Sequence, residues 1–65
     1  MIKTVIRLRN NLVMVFDTEG EQVPDYQGQY EDVKDQILRD AQSETVFNHW
    51  FGHTLKPRSV TRRDW

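Results

Sequence analysis

Ile2-Lys3-Thr4-Val5-Ile6-Arg7-Leu8-Arg9-Asn10-Asn11-Leu12-Val13-Met14-Val15-Phe16 is the stretch on which the reading of this chain turns. Residues 2 to 9 alternate, with Ile2, Thr4, Ile6 and Leu8 on one side and Lys3, Val5, Arg7 and Arg9 on the other, the period-two signal of a half-buried strand. Asn tolerates positive φ better than any residue but Gly, so Asn10-Asn11 reads as a two-residue hairpin turn into a second, continuously apolar strand, Leu12 to Phe16. That closure sets Leu8 opposite Val13 and Ile6 opposite Val15 on one face, with Arg7 opposite Met14 and Val5 opposite Phe16 on the other. Both faces carry apolar side chains. One can take a helix, and the other is left to meet a partner.

Asp17 to Glu21 is rich in turn formers, so a second reversal is expected to return a short third strand around Glu21 to Val23, ended by Pro24. Tyr30, Val33, Lys34, Ile37, Leu38 and Ala41 then recur at helical spacing, with Glu31 and Asp32 in the first turn and Arg39 near the end, as the helix dipole favours. Ser43 reads as the cap of a second short helix, 44 to 51, with Val46, Phe47 and Trp50 on one face and Gly52 as its stop. The expected fold is therefore α+β. A three-stranded antiparallel meander over residues 2–24 is followed by a helix near 29–41, a short second helix and an irregular C-terminal tail. Residues 1–52 read as one domain and 53–65 as a tail that is partly ordered at most. The expected core is Ile6, Leu8, Val13, Val15, Val33, Ile37, Leu38, Val46, Phe47 and Trp50. A one-residue slip in register swaps the faces and puts Val5, Met14 and Phe16 inside instead.

Sixty-five residues hold one small domain near the lower limit for folding without a metal or disulfide, which makes association a natural source of extra stability. There is no cysteine, hence no disulfide framework and no thiolate zinc site. The first residues lead directly into a strand rather than an uninterrupted apolar run, and the chain reads as soluble, unexported and cytoplasmic, with no membrane partner. Nine basic and ten acidic residues give a net charge of −1, so no global field favours nucleic acid or an anionic surface. The charges are segregated: Lys3, Arg7 and Arg9 come first, nine of the ten acids lie between Asp17 and Glu44, and Lys56, Arg58, Arg62 and Arg63 come last. This order is read first as charge complementarity within a small fold.

No catalytic signature is present. His49 and His53 stand four apart, a spacing at which two imidazoles can share a metal, but Gly52 interrupts them and no further ligand is linked to them. Ser43 and Ser59 have no ordered base beside them. Asp17, Glu19, Glu21 and Asp25 do not follow a calcium loop. The expectation is a non-enzymatic chain without cofactor or metal, acting as a protein-interaction module, with a homodimer through the second sheet face as one form. The partner-binding residues are then Val5, Arg7, Arg9, Met14, Phe16 and Phe51. The alternative is a nucleic-acid-binding module that uses Lys3, Arg7 and Arg9 of the first strand with Arg62 and Arg63 of the tail. In a third arrangement the tail lies back across the acidic helix face, with Arg62 and Arg63 near Glu31, Asp32 or Asp35 and Trp65 against the sheet, and contributes only stability.

Overall fold

The fold was obtained as a computed structural model, which describes residues 1–52 and 54–65. Among the described residues a five-stranded mixed sheet, ordered β3-β2-β1-β4-β5, carries a single α-helix. The strands are β1 (Ile2–Leu8), β2 (Leu12–Asp17), β3 (Gly28–Gln29), β4 (Val46–Trp50) and β5 (Arg58–Val60), and the helix α1 is Tyr30–Asp40. This replaces the three-stranded meander with two helices. β1 sits at the centre, antiparallel to β2 and parallel to β4, while β3 and β5 are short antiparallel edges. A parallel pair needs a long crossover, and the segment between β1 and β4 supplies it with α1.

The hairpin closes through three residues rather than two. The Asn11 amide donates to Leu8 O at 2.9 Å, Asn11 itself takes φ 65°, and the pairs become Val5 with Val15, Ile6 with Met14 and Arg7 with Val13. A turn ending in a left-handed residue is the usual form of a three-residue loop. Relative to the expected pairing, β1 has moved by one residue while β2 has kept its inward set. Val5 therefore joins Val13 and Val15 under the helix, and Ile6 and Leu8 join Met14 and Phe16 on the opposite face. A bulge between Ile2 and Thr4 turns Ile2 inward as well.

The segment expected as a second helix is β4. Val46-Phe47-Asn48-His49-Trp50 is β-branched and aromatic, the composition that suits a pleated surface, and its buried Phe47 lies opposite Val5. Two polar side chains secure it to β1: Thr45 Oγ1 donates to Ile2 O at 2.7 Å, and Asn48 Nδ2 donates to Val5 O at 3.2 Å. Val46 and Trp50, expected in the core, are 40% and 36% exposed. Ser43 caps no helix and its hydroxyl donates to Glu44, which holds that carboxyl below the usual range.

The expected third strand at Glu21–Val23 reduces to one bridge, Phe16 with Gln22, before a 3-10 turn at Pro24–Tyr26 carries the chain off the sheet. Pro24 has no N–H with which to continue a ladder. The strand that does flank β2 is Gly28–Gln29, where helix and sheet approach so closely that a Cβ on Gly28 would lie 3.3 Å from Val33 Cγ1. The irregular tail is likewise corrected, because Arg58–Val60 pairs with β4 and Trp65 is 3% exposed. The core is Ile2, Val5, Val13, Val15, Val33, Ile37, Phe47 and Trp65, with Tyr30, Leu38 and Val60 packed at its margin.

Candidate interaction face

The sheet has two unlike sides. On the inner side, α1 covers β1 and β2 through Val33 and Ile37, and Trp65 fills the space beside it, its indole 5.0 Å from the Tyr30 ring and 5.1 Å from that of Phe47. Arg7 lies here. Its guanidinium stacks 3.5 Å above Tyr30, donates to Trp65 O at 2.7 Å through Nη1 and to Asn11 Oδ1 at 3.0 Å through Nε. His49 Nε2 lies 3.2 Å from the same Trp65 oxygen, and its ring stacks on Phe51 at 4.3 Å. One cation, one imidazole and three aromatic rings thus hold the end of the described chain against the sheet. His53, the other half of the histidine pair, lies outside the described residues. Among the described residues no three His, Asp or Glu side chains converge.

The outer side is built from alternate residues of β2, β1 and β4, and their register sets them in three rows. Phe16, Thr4 and Val46 form the first, Met14, Ile6 and Asn48 the second, and Leu12, Leu8 and Trp50 the third. None of the nine carries a charge, and among the described residues no helix or strand lies over them. The central pair is closed off by its neighbours, with Ile6 8% and Asn48 7% exposed. Leu8, Leu12, Met14 and Phe16 are half-buried. Asn48 spends its amide protons on Val5 O and Val46 O, so the polar centre leaves no buried donor without an acceptor. At the hairpin end the face dips into a shallow depression of about 590 Å³ bordered by Leu8, Arg9, Asn10 and Trp50.

Of the residues expected to bind a partner, the structure brings Met14, Phe16 and, at the rim, Arg9 to this outer side. Val5 is fully buried under the helix, Arg7 is engaged with Tyr30 and Trp65, and Phe51 belongs with His49. Ile6, Leu8, Leu12, Val46 and Trp50 complete the face and were not read as part of it, since a two-residue turn puts Ile6 and Leu8 inside and a helical period does the same for Val46 and Trp50. The β-branched and aromatic content of Val46–Trp50 was the available signal.

The cations of the nucleic-acid alternative are dispersed. Arg62 donates to Gln42 O at 2.6 Å with its guanidinium 5.2 Å from the Phe47 ring centre, rather than meeting Glu31, Asp32 or Asp35. Arg63 faces Asp64 at 4.0 Å, and Lys3 lies in the field of Glu44. No described helix is long and apolar enough to cross a membrane. Compared with protein-family models, with curated proteins and with solved structures, the chain gives no match.

Proposed function

We propose that this chain is a non-enzymatic protein-interaction module that works by docking an apolar surface of another protein chain on the outer sheet face, in the cytoplasm to which the cysteine-free composition points. The observation that carries this reading is the uncharged three-by-three array on β2, β1 and β4, over which no element lies among the described residues. Sheets in single domains normally keep one face polar when only the other is covered, and Ile6, Leu8, Leu12, Met14, Phe16, Val46 and Trp50 depart from that pattern together. Burying such a face releases water from apolar surface, which drives association without any specific chemistry. The nucleic-acid alternative has less support, because Arg7 and Arg62 already serve the fold and Arg63 faces Asp64, which leaves Arg9 beside Trp50 at one rim and Lys3 near Glu44 at the other.

A photo-crosslinking side chain at Met14 tests the reading. In an extract of the source cells it is expected to form covalent adducts with protein, while the same group at Asp35, on the exposed side of α1, forms none. Equal labelling from both positions, or none from either, would overturn it.

A further inference from the structure

Resting on the interaction reading above, we infer that the occupant of the outer face is a second copy of this chain, packed sheet against sheet about a two-fold axis that runs across the strands. The charges bordering the face set this arrangement. At the end where β2 stops and β4 begins stand Asp17, Glu19, Glu21 and Glu44, with Lys3 close enough to act on Glu44 and with Arg62, bonded to Gln42 O, turned to the inner side over Phe47. At the opposite end Arg9 lines the depression with Leu8 and Trp50, and Lys56 belongs to the loop tied back by the Trp50 indole, which donates to Thr54 O at 3.0 Å. The middle carries no charge. One face therefore runs from acidic to basic along the strands, and it is complementary to itself when turned end for end.

A two-fold axis across the strands superposes the acidic end of one copy on the basic end of the other, twice over. An axis along the strands would place acid over acid and is disfavoured by the same charges. Sideways growth of the sheet is a poor competitor. β3 offers two residues, and β5 offers three that follow Pro57 and begin with Arg58, the short, charged and proline-marked edges that resist strand addition. Three strands at about 4.8 Å spacing and five residues at about 3.3 Å rise frame a few hundred square ångströms, less than the ~800 Å² per partner of a standard interface. The dimer is accordingly reversible and concentration-dependent.

Sedimentation equilibrium of the purified chain, at low salt and up to about 1 mM, is the test. The mass is expected to rise from 7.8 kDa towards twice that value. Met14→Glu and, as a second variant at a more exposed site, Val46→Lys are expected to stay monomeric over the same range with unchanged helical circular dichroism. Arg9→Glu acts at two symmetric contacts and is expected to raise the dissociation constant about tenfold, with Glu44→Lys in the same chain restoring part of the loss. A wild-type chain that stays monomeric throughout overturns the inference, as does a dimer that survives both face variants. An Arg9→Glu dimer as tight as the wild type overturns the orientation. If the pure chain is monomeric while the Met14 crosslinker still captures protein in the extract, only the second-copy inference falls. If neither associates, the interaction reading falls with it.

Discussion

Asn11 shows how much one residue can decide in a chain this small. Its φ of 65° ends the hairpin loop, its carbonyl accepts the Tyr30 amide at 2.7 Å at the start of α1, and its side chain orients Arg7. Asn11→Gly keeps the left-handed backbone and loses only the Arg7 bond, so a cost near 1 kcal/mol is expected. Asn11→Val adds the strain of a β-branched residue at positive φ, about 1–2 kcal/mol more. Urea denaturation of the two variants measures the difference, and equal stabilities would exclude a left-handed turn residue. Trp65 is the second such position. Its ring lies between Tyr30 and Phe47 at 3% exposure, although its Nε1 finds no acceptor there, so Trp65→Ala should cost about 3–5 kcal/mol. For a domain of this size that is most of the folding free energy, and loss of the cooperative thermal transition is the expected result.

Among the elements, the 3-10 turn is tied to the far end of α1 by one bond, Tyr26 OH donating to Asp40 Oδ2 at 2.6 Å. That bond, with burial and the Asp40 charge adding to it, raises the Tyr26 phenol above its ordinary 10.0. A raised value means that the folded chain holds the proton more tightly than the unfolded one. The stabilisation is therefore complete below about pH 10 and is lost as pH climbs through the folded value. Tyr26→Phe should be slightly less stable than wild type at neutral pH, and the gap should close in strongly alkaline buffer. A gap independent of pH, followed by chemical denaturation, would remove the bond from the account. The same scale explains which elements were legible. The amphipathic spacing from Tyr30 to Ala41 marks α1 because a helix on a sheet must keep one apolar stripe. Val46, Phe47 and Trp50 satisfy a helical stripe and a strand equally, and only the free side of β1 decides for the strand.

At the scale of the whole molecule, the fold gathers two kinds of apolar surface from one short chain. Val5, Val13, Val15 and Phe47 are covered by α1 and Trp65, while the array around Ile6 is covered by nothing within the described residues. Local sequence was enough to establish two strands from 2 to 16, a helix following Gln29 and an apolar surplus in the hairpin. These features depend on neighbours in the chain, through side-chain period, turn chemistry and composition. Tertiary structure alone decided the rest. The loop length set by Asn11 moved β1 by one residue and so chose which apolar set lies inside. The parallel pairing of β4 with β1, and the return of Trp65 to Arg7 and His49 across 58 and 16 residues, join partners whose separation hides them from any local pattern. The placing of Glu44 and Asp17 at one end of the sheet has the same origin, since it follows only when β4 and β2 flank β1. Long-range contacts are selected by the sum of burial over the whole sheet, and that sum is not written in any one segment.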